Sequence, residues 1–428
     1  MNDIIQQFRD IRMATRKDEV WRNVDFGAMM PEGLSLPDAD EAHEGHYYCN
    51  MPDLDAVRLT LVNGRCVQPL TVAEEGIVYG SLREAMDKYP ELVKNHLGKC
   101  KKSDNAYERL NLNSFSDGMF LYVPDNTSID KSFQMVSMTD SEHQLFLQTR
   151  NLVVVGKGSR LRLIHCDDSH NNSRSMSNNV TEIFAGEGSY VEHYKLQNMN
   201  DLSGLLNHNY ICSMEGAELH SFVISLNGGH IRNHTEIRML GEHCVTEAHG
   251  LYLIDKEQEV DNYVFVDHAC ANCQSHELFK GIMDDSARAT FNGHVLVDEG
   301  SVKTEAYQSN KNILLTDKAT VTSKPFLEIY NDDVKCSHGS TTGQIDEQQM
   351  FYIRSRGISE RTARTMLLYA FCDEVIQKIG LATLRERLSD MVKKRLHGEL
   401  TACADCALHC NTPCADGENV FVIDPTKL

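Results

Sequence analysis

The feature that most limits what this chain can become is a turn that returns at a near-constant interval. Gly156-Lys-Gly-Ser159, Gly186-Glu-Gly-Ser189 and Glu215-Gly-Ala217 follow one another about every 30 residues. Asp298-Glu-Gly-Ser301 and Thr316-Asp-Lys-Ala319 repeat the pattern further on. Each is a glycine or acidic turn, then a small residue, then a β-branched or long side chain. Between the turns lie short strand-like runs such as Leu152–Val155, Arg160–Ile164, Ser189–Lys195, Glu218–Ser225, His234–Met239 and Leu251–Ile254. Glycine supplies positive φ at a corner, and a small side chain lets successive coils approach, so the pattern predicts a β-helix or solenoid over 116–345. A two-sheet sandwich also yields many short strands and stays open as the alternative.

The flanks read differently. Residues 1–115 form an α/β region. Ile4, Ile5, Phe8 and Ile11 repeat at helical spacing, and Asn63-Gly64 marks a hairpin between Ala56–Val62 and Val67–Leu70. Ser81 caps a helix, and Asn105–Leu112 forms another. Residues 346–398 form a helical region. Its elements are Glu347–Arg356, a helix capped by Ser359 with an apolar stripe of Ala363, Met366, Leu367, Ala370 and Phe371, and Leu381–His397 after Gly380. Residues 399–428 form a cysteine-rich tail.

At 428 residues and 41% hydrophobic content the chain can bury a large core, and a formal charge of −20 argues against nucleic acid or an anionic membrane as partner. A basic protein or a metal cation fits better. The start, MNDIIQQFRDIRMATRK, has no apolar signal core, and no run is long enough to span a bilayer. The 14 scattered cysteines therefore read as reduced thiols of a cytoplasmic protein.

Three clusters carry metal-binding chemistry. Lys335-Cys336-Ser337-His338-Gly339 follows Asp332 and Asp333, so a soft thiolate, an imidazole and two carboxylates could reach one ion. Cys270 and Cys273 lie between His268 and His276. Cys403, Cys406, Cys410 and Cys414 could form a tetrahedral sulfur site, although their spacing does not match the usual ferredoxin run. The other histidines of the middle region, among them His165, His193, His208 and His234, make no compact motif and read as a solvated or hydrogen-bonded strand face. There is no G-x-x-x-x-G-K-[ST], so any use of ATP falls to a partner.

The stretch LEIYNDDVKCSHGSTTGQIDEQQMFYIRSRGIS, with VDEGSVKTEAYQSN upstream at 297–310, resembles the SufB/SufD family of iron–sulfur cluster assembly scaffolds. His338-Gly339 and Gly343-Gln344-Ile345-Asp346 place it on the SufD side, since SufB would carry His-Glu and Ser-Lys. The likeness covers roughly 115–397. It implies a right-handed parallel β-helix between helical segments and no turnover of the chain's own. It also implies pairing with a SufB-like subunit through the β-helix, and docking of a SufC-like ABC ATPase on the helices around Phe351–Ile379. Within that region Phe351, Tyr352, Arg354, Arg356, Met366, Leu367 and Phe371 are the candidate docking residues.

The same resemblance places a transient iron–sulfur cluster or iron at the partner interface, where Cys336 and His338 match the family's cysteine and histidine. No tightly bound cofactor is expected, flavin is left undecided, and the isolated chain could pair with itself. The tetracysteine tail departs from the family pattern. The alternatives are a polysaccharide-acting or metal-dependent β-helix enzyme, a SufB-like paralogue, or an adaptor that never touches metal.

Overall fold

The computed structural model describes residues 14–24, 29, 33–37 and 54–396. Within them, successive strands alternate between two ten-stranded sheets. The first sheet runs from Arg65–Cys66 and Ala56–Val62 through Ser132–Thr139, Arg160–Ser169 and every second strand thereafter, ending on Val334–Gly343. The second runs from Thr71–Val72, Val78–Ser81 and Met119–Val123 through Leu145–Val155, ending on Thr320–Ile329. Apart from the opening hairpin strands, pairing is parallel and in register, for example Tyr190–Glu218 through Gln197–Ser225. Parallel pairing at one strand per sheet per coil is the solenoid reading and excludes the antiparallel sandwich.

The corners explain the period. Gly158, Gly188 and Gly216 sit at φ of 63°, 61° and 65°, and the same corner of the next three coils is filled by His243, Asn272 and Lys303 at 61°, 61° and 58°. The backbone N–H of each donates to the next coil: Gly158 to Glu187, Gly188 to Glu215, Gly216 to Glu242, His243 to Ala271, Asn272 to Val302 and Lys303 to Asp333. The residue that follows is small and buried: Ser159, Ser189, Ala217, Cys244, Cys273 and Thr304. The repeat is therefore more regular than its glycines. At 298–301 the positive φ falls on Lys303 rather than Gly300.

The interior is apolar toward the opening coils, where Leu161, Leu163, Val191 and Leu219 meet Val153, Ile183 and Ile211. A second apolar cluster, with Leu205, Ile231, Val260, Val264, Phe279 and Phe291, fills later coils, and a polar column runs beside them. Thr149 Oγ1 donates to Asn179 Oδ1 (2.8 Å), Asn207 Nδ2 to Asn233 Oδ1 (3.0 Å) and Asn233 Nδ2 to Asn262 Oδ1 (2.9 Å), a ladder that links buried amides along the stack and leaves Asn207 Oδ1 and Asn262 Nδ2 without partners among the described residues.

Among the described residues these α-helices flank the solenoid: α1 Leu82–Lys88, α2 Pro90–His96, α3 Ala106–Ser114, α4 Glu347–Arg354, α5 Glu360–Ile376 and α6 Ala382–Leu396. Ser81 Oγ accepts from Glu84 N to cap α1, Asn105 Oδ1 accepts from Tyr107 N to cap α3, and Ser359 Oγ accepts from Thr362 N to cap α5. Helix α3 sits on the second sheet, where the buried Arg150 pairs with Glu108 (2.9 Å) and donates from Nε to Glu182 (2.8 Å). Helices α5 and α6 cover the first sheet. Leu368, Cys372, Val375, Leu384, Leu388 and Val392 pack against Ile164, Leu196, Phe222, Leu251 and Leu278.

The buried stripe of α5 is Ala363, Leu368, Cys372, Val375 and Ile376, with Met366 and Ala370 exposed, which corrects the stripe expected from sequence. The helix meets the sheet at Cys372 and Val375, whereas spacing alone had pointed to the Met366 side. The terminal helix expected at Ile4–Ile11 lies outside the described residues. Among the described residues, no helix is long and apolar enough to cross a membrane.

Candidate functional site

The two sheets finish on unpaired edges. Val334–Gly343 pairs with Thr304–Leu314 and Thr320–Ile329 pairs with Arg288–Val297, and each is the terminal strand of its sheet. Cys336 stands over Ala306 and His338 over Gln308. Residues two apart on a strand share a face, and this face points inward, since Cys336 packs beside Val295, Val297, Ala306 and Leu327. With no coil above them, inward side chains reach solvent: Cys336 is half-buried and His338 exposed. Burial pushes the Cys336 thiol above its ordinary range. His338 also lines a groove of about 420 Å³ with His249, His276, Tyr307, Ser309 and Lys378.

The structure brings Cys336 and His338 onto one face and leaves the two carboxylates apart from them. Asp332 and Asp333 occupy the preceding turn, where the Asp333 carbonyl accepts from Lys303 N. Among the described residues, no three His, Cys, Asp or Glu side chains converge where one ion could sit. That corrects the expectation of a shared four-ligand site, because thiolate and imidazole alternate inward on a strand whose turn residues cannot follow them.

The Cys270–Cys273 cluster is likewise dispersed. His268 is buried with its Nε2 2.8 Å from Ser275 Oγ. Cys273 is a corner residue whose thiol reaches the Gly241 carbonyl, and His276 is stacked against Tyr307. The histidines of the middle region are less solvated than expected. His165, His193, His208 and His234 are buried, and burial presses His193 and His208 down to about 3, so these rings are neutral. The thiols at 403, 406, 410 and 414 lie outside the described residues.

The helical docking candidates divide into two groups. Phe351 is 75% exposed and Tyr352 60%, with Arg356 stacked 3.5 Å over the Tyr352 ring and Arg354 paired with Glu360 at 3.2 Å. Met366 is exposed and Leu367 half-buried. Phe371, by contrast, packs toward the core under Lys280 Nζ, 4.3 Å from its ring. A groove of about 720 Å³ runs beside the exposed group, bounded by Leu314, Ile345, Met350, Phe351, Arg354 and Arg364.

Sequence reasoning missed Glu277 and Gln308. They occupy the inward register position that His338 occupies one and two coils later. The signal was available in the spacing, since 277, 308 and 338 are one coil apart.

Comparison with known proteins covers nearly the whole chain. Residues 2–135 match the SufBD protein N-terminal region, and residues 137–371 match the SufBD core domain of the SUF system for FeS cluster assembly. The iron–sulfur cluster assembly protein SufD of Escherichia coli is 29% identical over 92% of both chains. An iron–sulfur cluster assembly SufBD family protein of Synechocystis is 27% identical over 90% of this chain and 88% of its own. A SufBD family protein of Mycobacterium tuberculosis reaches 35% identity over 42% of this chain and 47% of its own.

Proposed function

The chain belongs to the SufBD family of iron–sulfur cluster assembly proteins, and from that premise we propose that it is a SufD-like scaffold without turnover of its own. The observation that carries this is the uncapped end of the solenoid. Two parallel edges side by side offer unpaired backbone groups to a further coil, and a SufB-like subunit built from the same coils is the complementary surface. Cys336 and His338 lie on those edges, so pairing places a thiol and an imidazole at the joint. Iron and sulfide, as cargo, need ligands that hold and then release. Thiolate is soft, and imidazole ligation weakens when the ring is protonated. The iron or nascent cluster would therefore be shared across the joint rather than held tightly by this chain, and flavin has no assigned place.

The exposed Phe351, Tyr352, Arg354, Arg356 and Met366, beside their groove, supply an aromatic and basic surface for a SufC-like ATPase. Leu367 and Phe371 support that surface from beneath. Anchored on α5, which packs across the first sheet, motion of the ATPase would be transmitted to the solenoid. A cytoplasmic location accords with reduced thiols.

The test is co-expression of His338→Ala with the partner subunits. The variant should lower cluster yield while leaving the fold and ATPase binding intact, and normal cluster assembly would refute the assignment. The metal-dependent enzyme alternative draws no support from the site, because no ion-binding group of three converges among the described residues.

A further inference from the structure

His338 sits at the open end of a buried polar column. Glu277 is 3% exposed and faces the interior, where Gln308 Nε2 of the next coil donates to its Oε2 at 2.8 Å. Gln308 is equally buried, and its own Oε1 has no partner among the described residues. Its rotamer is confined from the opposite sheet, since a Cβ at Gly293 would run into the Gln308 amide. One coil further on, at the same inward register position, stands His338, whose ring has no hydrogen-bond partner among the described residues.

Gln308 turns its NH₂ toward Glu277, and above the value of about 8 to which burial pushes Glu277 its carboxylate has no donor and admits no other orientation. The carbonyl oxygen is then the atom left for the last coil. A buried carbonyl without a partner is costly, and stacked side chains at one register position are about 5 Å apart, within reach of a ring N–H. We infer that Glu277 and Gln308 are positioning residues for His338: the Gln308 carbonyl accepts the imidazole N–H, fixes the ring's tautomer and aims the other nitrogen, with its lone pair, at the open end.

Ligand histidines are commonly oriented in this way by an acceptor behind them. The inference rests on the reading of His338 as a ligand at the joint, but it is tested without iron. In protein carrying ¹⁵N-histidine, two-bond ¹H–¹⁵N correlations report the tautomer of each neutral ring, and His338→Gln identifies the signal. The spectra are recorded at pH about 9, above the value of about 8 to which burial pushes Glu277.

Against the ratio of the same ring in the urea-unfolded chain, the folded wild type should shift the tautomer ratio by about fivefold or more, the factor expected of one net hydrogen bond. In Gln308→Met the acceptor is gone, and in Glu277→Gln residue 277 can both donate and accept, so the ratio should return toward that of the unfolded chain in both. A wild-type ratio equal to that of the unfolded chain overturns the inference with no variant needed. So does a ratio unchanged in Glu277→Gln, which alters the fewest atoms. Should His338→Ala assemble clusters normally while the tautomer proves fixed, the functional reading fails and the positioning stands. The reverse pair of results sinks only the positioning.

Discussion

A carboxyl group sealed inside a protein is easier to keep neutral than charged, and Glu277 shows the consequence for stability. Burial moves it from its ordinary value of 4.5 up to about 8. The folded state therefore holds a proton that the unfolded chain releases between those values. The group's contribution is fully present below about 4.5 and is lost as pH rises to about 8, a difference on the order of a few kcal/mol. Urea unfolding of the wild type and Glu277→Gln at several pH values should show the gap between them moving in the variant's favour from pH 5 to pH 9. A pH-independent gap would mean the carboxyl is solvated.

Between elements, the corners and the buried ion pairs do most of the fixing. Gly158, Gly188 and Gly216 meet positive φ at no steric cost, whereas His243, Asn272 and Lys303 take it with a Cβ. His243→Gly should therefore be neutral to stabilising by up to about 1 kcal/mol, read as a shift in denaturant midpoint at constant m. The attachment of α3 depends on Arg150, buried between Glu108 and Glu182. Arg150→Leu leaves Glu182 without its counter-charge and Glu108 with Lys101 alone, and should cost about 3–5 kcal/mol. A loss below 1 kcal/mol in thermal or denaturant unfolding would show that Lys101, which also pairs with Glu108, suffices.

For the molecule as a whole, the open end is where the interior reaches solvent. Phe326 is 48% exposed, Ile329 38% and Tyr330 56%, all on or next to the last strand of the second sheet. Ile329→Lys should leave the monomer folded, because the side chain already reaches solvent. It should weaken association with a SufB-like subunit, or with a second copy, by tenfold or more, about 1.4 kcal/mol or above. Sedimentation or co-purification unchanged from the wild type would place the contact elsewhere.

The solenoid was legible because its repeat is written locally: a turn residue, a small residue and a strand, once per coil. It was legible only in part. The glycine corners announced themselves, while His243, Asn272 and Lys303 fill the same corner with residues that carry no turn signature of their own. The motif around Cys336 and His338 was readable for the same reason, since alternate residues of a strand share a face whatever surrounds them. The buried face of α5 was not, because Met366, Leu367 and Phe371 are as apolar as Leu368 and Val375, and only the docked sheet chooses among them.

What the sequence determined by itself is the period, the strand faces and the family, all properties of neighbours along the chain. The tertiary structure decided that Glu277, Gln308 and His338 form one column, and that Asp332, Asp333, His268 and Cys273 do not join a metal site. The physical reason is that parallel stacking brings residues a full coil apart to within about 5 Å, while a single turn can send adjacent ones to opposite faces.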